Sequence, residues 1–262
     1  MNKAVLQTSL VFFVVLIPSL SNIKLAQGSP RNTDHQFNNW FNPSLNIRAN
    51  KYVGFYIEGQ LRFNEFKYNQ QHQIRGMLDV FLTKTITVSP IGYVYTWNYQ
   101  YGKQPAKTTE NLHCIFEQIS VKHSVGRVFF EQRARMEQRW QEHKVLQNDG
   151  SYLKENFSYK NRFRYRTMIT IPLNKKTMCT GTIFVSTWDE MFVSFGKNVN
   201  YNLPDQNRVY VGLGYKFNKK GTVQLGYLNQ LLIKKEGTKA ESNHTLFLGF
   251  NYVVDFTKKR DI

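Results

Sequence analysis

Residues 156–172 alternate between apolar and polar side chains. One parity is aromatic and aliphatic: Phe157, Tyr159, Phe163, Tyr165, Ile169 and Ile171. The other parity is polar and largely cationic: Ser158, Lys160, Arg162, Arg164 and Arg166. Because successive side chains of a β-strand point to opposite faces, the segment is predicted to be a strand with one apolar and one cationic face. Wound as a helix, it would have no apolar stripe.

A strand with two such faces suits the wall of a membrane barrel, where the apolar face meets lipid and the charges point inwards. Each Arg or Lys turned towards lipid at the midplane would cost roughly 2–4 kcal/mol. Inverting the whole strand would therefore cost on the order of 10 kcal/mol. The pattern strongly favours one orientation of this strand.

Ten further segments show the same period of two, some more weakly. They are residues 37–48, 52–64, 73–85, 91–101, 112–123, 127–139, 180–195, 206–217, 222–233 and 244–256. Short and long connections alternate between them, and residues 141–155 are predicted to be the longest polar connection. This arrangement predicts an all-β fold, an antiparallel transmembrane β-barrel of about 10–12 strands with short periplasmic turns and longer outer loops. A soluble secreted β-protein is the alternative fold.

Two local features affect the strand count. Eleven segments are an odd number, whereas bacterial single-chain barrels usually have an even one, so the first segment is expected to be misread. Val88-Ser89-Pro90 is expected to break a strand, because proline cannot donate a hydrogen bond to a sheet.

The composition agrees with a barrel better than with a helical membrane protein. The chain of 262 residues is 41% hydrophobic and 15% aromatic, yet its mean hydropathy is only −0.47. Strands that alternate between lipid-facing and polar residues produce both properties together. Beyond the N-terminus, no stretch approaches the roughly 20 apolar residues of a membrane-spanning helix.

The N-terminus has the pattern of a secretory signal. Lys3 precedes the apolar run Leu10–Ile17, and Ala26-Gln27-Gly28 offers a cleavage site with small residues. We therefore predict a cleaved signal peptide over residues 1–28 and a single barrel domain over residues 29–262, located in the outer membrane of a Gram-negative cell. An uncleaved anchor is the alternative, but the apolar run is short for a span. Outer-membrane lipids and the barrel-insertion machinery are the expected partners.

Only two cysteines occur, Cys114 and Cys179. This number rules out a disulfide-stapled secreted scaffold. The two residues fall on non-adjacent predicted strands, so we predict two free thiols.

Several segments, in their order along the chain, resemble an outer-membrane barrel family known as domain-of-unknown-function 2490. They are the strand containing Trp40, Glu58–Arg62, Glu131–Arg139, Arg162–Arg166, Asp205–Tyr210 with Gly214-Tyr215, and Gly226–Gln230 before Asn243-His244. The resemblance covers nearly the whole mature chain and implies an outer-membrane β-barrel without catalytic residues to transfer. The tail departs from the general barrel pattern, because Thr257–Ile262 follow the terminal aromatic residue Phe256.

The inward-facing charges are the main functional signal. A basic lumen wall is predicted from Arg133, Arg135, Arg139, Lys160, Arg162, Arg164, Arg166 and Arg208. Its predicted acidic partners are Glu58, Glu131, Glu137 and Glu190. Such a wall could guide small anionic solutes through a pore or passive channel by electrostatic focusing. Alternatively, the carboxylates pair with the arginines and fill the lumen of a closed structural or interaction barrel.

Other chemistry has weaker support. No histidine spacing suits a metal, since His113 and Glu117 form only an isolated pair, and no cofactor motif is present. Ser242 and His244 are the only close pair for a lipid hydrolase at the barrel rim, so we predict a protein that is not an enzyme. The net charge of +17 is concentrated in turns and the tail rather than in a nucleic-acid-binding module.

Overall fold

The computed structural model describes residues 31–103, 105–199 and 203–257, and these form eleven β-strands. The strands are β1 (Asn32–Arg48), β2 (Val53–Asn64), β3 (Tyr68–Phe81), β4 (Ile86–Asn98), β5 (Glu110–Val125), β6 (Val128–Leu146), β7 (Tyr152–Pro172), β8 (Thr182–Phe195), β9 (Pro204–Lys216), β10 (Gly221–Ile233) and β11 (Lys239–Asp255). No helix in this part of the chain is long and apolar enough to cross a membrane. The predicted signal peptide lies outside the described residues.

The strands close into one barrel in which each strand pairs with its neighbours in sequence. Every such pair is antiparallel, whereas β1 and β11 close the barrel as a parallel pair from Asn32↔Lys239 to Arg48↔Asp255. The barrel prediction is confirmed. The expectation of an even strand number is wrong, because a parallel closing ladder accommodates eleven strands and β1 is a true strand.

Large apolar side chains predominate on the outer face of the strands, and charged side chains predominate on the lumen face. On β7, Phe163 is 41% exposed, while the neighbouring Arg164 is only 5% exposed. Ile57, Tyr93 and Leu213 on other strands are likewise exposed on the outer face. An outer surface of large apolar side chains around a polar interior is the arrangement of a transmembrane barrel.

The connections lie at two rims. The short-turn rim holds the connections 49–52, 82–85, 126–127, 173–181 and 217–220. The long-loop rim holds the connections 65–67, 99–109, 147–151, 196–203 and 234–238. The segment 141–155 was predicted as the longest connection, which is wrong. There, β6 and β7 extend as a polar hairpin and pair as far as Leu146↔Tyr152, leaving a turn of residues 147–151.

Proline 90 does not end its strand either. Strand β4 runs through it, and the register between β4 and β5 shifts between Ser89 and Gly92. A bulge accommodates a residue that cannot donate to the ladder. The prediction of two free cysteines is confirmed, with Cys114 buried in the wall and Cys179 exposed in the connection 173–181.

Aromatic rings fill part of the lumen because glycines make room for them on adjacent strands. A Cβ on Gly92 would lie 2.2 Å from the ring of Phe116, and a Cβ on Gly214 would lie 2.2 Å from the ring of Phe184. Both phenylalanines are at most 2% exposed. The rings therefore lie flat against the wall and occupy lumen volume that water would otherwise fill.

Candidate functional site

Buried ion pairs cross the lumen wall between β6, β7 and β8. Glu137 accepts hydrogen bonds from Arg162 Nη2 at 2.7 Å and from Arg164 Nη1 at 2.6 Å. Arg164 Nη2 also donates to Glu190 at 2.8 Å, and Arg133 is a second donor to Glu190. Since Glu137 and Glu190 are at most 2% exposed, these arginines satisfy carboxylates that water does not reach.

The ion pairs continue towards the short-turn rim. Glu131 pairs with Arg166 and, at 3.4 Å, with Lys122. Arg135 donates from Nε to the Gln118 side chain at 2.9 Å and lies 3.8 Å from Glu137. The structure therefore places these predicted residues together on this side of the lumen.

Glu58 has a different partner from the one predicted. It accepts from Arg75 Nη1 at 2.7 Å on the neighbouring strand β3, rather than from an arginine of β6 or β7. Glu58 and Arg75 are direct partners in the β2–β3 register. A cross-strand partner is closer than a residue on the opposite wall, and this proximity determined the pair.

Aromatic faces hold several of the guanidinium groups. The Arg62 guanidinium lies 3.9 Å from the centroid of Trp40, and that of Arg208 lies 5.1 Å from it. The Phe192 ring lies 4.5 Å from Arg164 and 4.8 Å from Arg208. Stacking on a ring orients an arginine without neutralising its charge.

A cavity of about 850 Å³, here called the vestibule, reaches from the long-loop rim down to Glu137 and Arg164. Its described lining has twelve basic and four acidic residues. The basic residues are Arg62, Arg75, Lys103, Lys107, Arg139, Lys160, Arg162, Arg164, Arg208, Lys234, Lys235 and Lys239. The acidic residues are Glu110, Glu137, Asp205 and Glu236. The described lining therefore carries eight more basic than acidic residues, which makes the potential at this mouth of the barrel positive.

Eight basic residues of the vestibule form no ion pair with a carboxylate of the described chain, and four of these are lysines exposed at its mouth. The other four are buried or half-buried and are here called the unpaired cations: Arg62, Arg139, Lys160 and Arg208. In the part of the chain that the structure describes, the Arg62 guanidinium hydrogen-bonds only to the side-chain amides of Gln60, Gln71 and Gln73. Within the described residues, the buried Nε atoms of Arg62 and Arg139 have no acceptor, and the same holds for the Nε atoms of several ion-paired arginines, so the ion pairs alone distinguish the two groups. The predicted basic wall thus divides into a paired part and an unpaired part.

Tyr101 lies over one side of the vestibule. Its hydroxyl donates to Glu241 Oε2 at 3.4 Å. Burial, followed by the adjacent Glu241 carboxylate, raises the pKa of Tyr101. The phenol therefore stays protonated at neutral pH and remains a donor beside the mouth of the vestibule.

Sequence reasoning missed Arg62, Arg75, Asp205 and Trp40 as site residues. Arg62 lies on the polar parity of β2, and that parity was the available signal for it. Asp205 Oδ2 lies 3.7 Å from Arg162. Asp205 is the second residue of β9, where the alternation of apolar and polar residues had not yet begun. The alternation within one strand could not predict that arginines stack on Trp40, because these contacts join residues of β1, β2 and β9.

Ser242 and His244, the pair considered for the less favoured hydrolase, do not form a hydrogen bond with each other in the described chain. Both residues lie on the outer face, where His244 contacts Tyr227 Oη at 2.6 Å and His35 Nδ1 at 3.1 Å. Ser242 Oγ accepts from Asn229 at 3.1 Å. Throughout the described chain, no hydrogen bond joins Ser242 to His244, so the serine has no adjacent general base. In the same part of the chain, no cluster of three or more His, Cys, Asp or Glu residues could hold a metal.

Comparison with known proteins identifies one family. The profile of the family described as "Protein of unknown function (DUF2490)" matches residues 37–257. Among solved structures, "NanC porin structure in rhombohedral crystal form" matches with 12% identity and a TM-score of 0.46, covering 78% of this chain and 92% of that one. No curated protein shows significant similarity.

Proposed function

The chain belongs to the DUF2490 family, and from this premise we propose that it is an outer-membrane channel that captures small anionic solutes in its vestibule. The unpaired cations carry the proposal. A buried cation without a carboxylate is costly, and an anion from solution offsets that cost when it binds. Arg62, Arg139, Lys160 and Arg208 therefore form the binding wall, whereas the paired arginines form the scaffold below it.

The paired arginines set the lower limit of the vestibule. Arg162 and Arg164 are held by Glu137, Glu190 and Asp205, so their charges are largely neutralised. A solute that moves towards the short-turn rim must pass this layer. The layer acts as the constriction of the channel, and its neutralised arginines attract anions less than the unpaired cations above do.

The filled lumen supports a second candidate, a closed barrel that binds anions without passing them. Phe116, Phe184, Phe192, Tyr210 and Leu228 are all at most 2% exposed and occupy the interior. Small barrels can fill their lumen with side chains in this way. In this candidate, the vestibule is a receptor pocket and the ion pairs are a permanent plug.

The apolar outer face supports the outer-membrane location. With the short-turn rim towards the periplasm, residues 1–28 would act as the export signal, and the barrel-insertion machinery and outer-membrane lipids would be its partners. Ser242 and His244 form no hydrogen-bonded pair among the described residues, so this pair gives no support to a hydrolase at the rim.

A planar bilayer experiment separates the two candidates. The mature chain is refolded and inserted, and its conductance is recorded in potassium chloride before and after addition of inorganic pyrophosphate. If the chain is a channel, it gives conductance steps that pyrophosphate blocks. The closed barrel is silent, yet it binds pyrophosphate in calorimetry. A barrel that gives no conductance steps and binds no pyrophosphate would contradict both candidates.

A further inference from the structure

The short-turn rim carries a dense ring of positive charge. Its exposed basic side chains, here called the basic collar, are Arg48, Lys51, Lys84, Lys122, Arg127, Lys175, Lys176, Lys219 and Lys220. Among the described residues of this rim, no carboxylate is exposed. Asp255 is half-buried and accepts from the Thr257 backbone at 2.9 Å. Glu131 is half-buried and pairs with Arg166 and, at 3.4 Å, with Lys122 of the collar.

The opposite rim differs in this respect. Glu65, Asp149, Glu155 and Glu236 are exposed among the lysines of the long-loop rim. Charges of both signs there partly cancel each other, whereas the charges of the basic collar add up. The asymmetry belongs to the rims and is separate from the vestibule.

Exposed apolar side chains stand beside the collar cations. Tyr52, Leu82, Val125, Leu173 and Phe256 are between 51% and 66% exposed. Lys51 Nζ lies 4.7 Å from the centroid of the adjacent Tyr52 ring. An apolar side chain next to a long cationic one is suited to the boundary between acyl chains and headgroups, where the amine reaches up to the phosphates.

Arg48, Arg127 and Lys175 of the basic collar also donate hydrogen bonds to carbonyls of its turns. Arg127 Nη2 donates to the carbonyls of Pro172, at 2.8 Å, and Lys175, at 3.0 Å. Lys175 Nζ donates to the Thr180 carbonyl at 2.5 Å. By contrast, Lys84 and Lys219 form no ion pair with the described chain and are available to an external anion.

We propose that the basic collar binds the phosphates of anionic phospholipids in the leaflet at the short-turn rim, in preference to zwitterionic headgroups. Charge complementarity assigns the partner: several cations, no exposed acid, and apolar anchors at the same depth. The lipid phosphates neutralise the collar and fix the depth of the barrel. This binding does not depend on whether the lumen conducts.

The test measures which lipids stay with the protein. The mature chain is inserted into vesicles of equal parts phosphatidylglycerol and phosphatidylcholine, extracted in mild detergent, and its retained lipid is quantified by mass spectrometry. Phosphatidylglycerol is expected to be enriched about fivefold. One lysine near an anionic surface contributes about 1 kcal/mol of binding free energy, which corresponds to about a fivefold ratio. High salt removes the enrichment, because exposed charges are screened.

Matched variants locate the effect. Lys51→Gln, Lys84→Gln and Lys219→Gln together abolish the enrichment. Lys67→Gln, Lys154→Gln and Lys197→Gln at the long-loop rim change the net charge equally and retain it. The corresponding lysine-to-arginine triple in the collar also retains it, which controls for a folding defect. The proposal would be overturned if both glutamine triples lost the phosphatidylglycerol enrichment equally, or if the wild type showed none. Preferential retention of lipid A from a mixture would also overturn it.

Discussion

Arg139 and Lys160 face each other as direct partners on β6 and β7, and neither forms an ion pair with the described chain. Two strand positions further from the long-loop rim, Glu137 and Arg162 are also direct partners and form a buried ion pair at 2.7 Å. Along β6 and β7, one inward-facing pair of residues is therefore two unpaired cations, and the next inward-facing pair is an ion pair. This change marks the boundary between the vestibule and the layer of ion pairs.

Glu137→Gln is expected to destabilise the barrel by about 3 kcal/mol. The substitution removes the carboxylate shared by Arg162 and Arg164 and leaves two buried cations with weaker partners. The free energy of unfolding in urea, measured in phosphatidylcholine vesicles, checks this. Glu155→Gln at the exposed rim is the control and should be near neutral, because the Glu155 carboxylate is exposed and its ion-pair partner among the described residues is His143. Equal stability of both variants would show that the ion pairs are not structural.

Gly92→Ala is expected to cost about 1–3 kcal/mol, because its Cβ would overlap the buried Phe116 ring at 2.2 Å. Phe116 cannot retreat freely, since the Arg135 guanidinium stacks on it at 4.0 Å. Gly76→Ala is the matched control, as nothing lies within 4 Å of its added Cβ. The unfolding midpoints of the two variants test the role of glycine in seating the ring, and a larger loss at Gly76 would refute it.

Cys179 reports which rim faces the periplasm. It is the exposed cysteine, and Cys114 is buried in the wall. A membrane-impermeant maleimide should leave Cys179 unlabelled in intact cells and label it once the outer membrane is permeabilised. Cys179→Ser should abolish labelling. Labelling in intact cells would place the short-turn rim outside and reverse the proposed orientation.

The same thiol should show a distinctive pH dependence. The hydroxyl of Thr182, 3.7 Å from Sγ, donates to the sulfur and lowers the pKa of Cys179. The reactive thiolate therefore persists to lower pH than in an ordinary cysteine, whose pKa is about 8.5. Thr182→Val should move the midpoint of the maleimide rate to higher pH. An unchanged midpoint would show that the hydrogen bond does not act on the thiolate.

The period-two pattern was sufficient to predict the barrel, since each strand must separate lipid-facing from lumen-facing residues. It predicted the inward face of β7 and the neighbouring arginines of β6. Strand ends were harder to predict. The polar hairpin at Leu146↔Tyr152 extends beyond the apolar residues that mark the strands, so its sequence resembles a loop.

The division of the basic wall could not be read from the sequence. Arg139 and Arg133 share a strand parity, yet Arg133 pairs with Glu190 and Arg139 has no carboxylate partner in the described chain. Which arginine finds an acid depends on the offset between strands, and alternation within one strand does not specify it. The parallel pairing of β1 with β11, which closes the barrel, could not be predicted for the same reason.

The most direct test of the account is the reversal potential of the inserted barrel in a potassium chloride gradient. The wild type is expected to be anion-selective, and Arg139→Gln with Lys160→Gln should move the reversal potential towards zero. Arg166→Gln with Glu131→Gln removes an ion pair without changing the net charge and should leave it unchanged. Cation selectivity, or an equal shift in both double variants, would contradict the claim that the unpaired cations of the vestibule are its working surface.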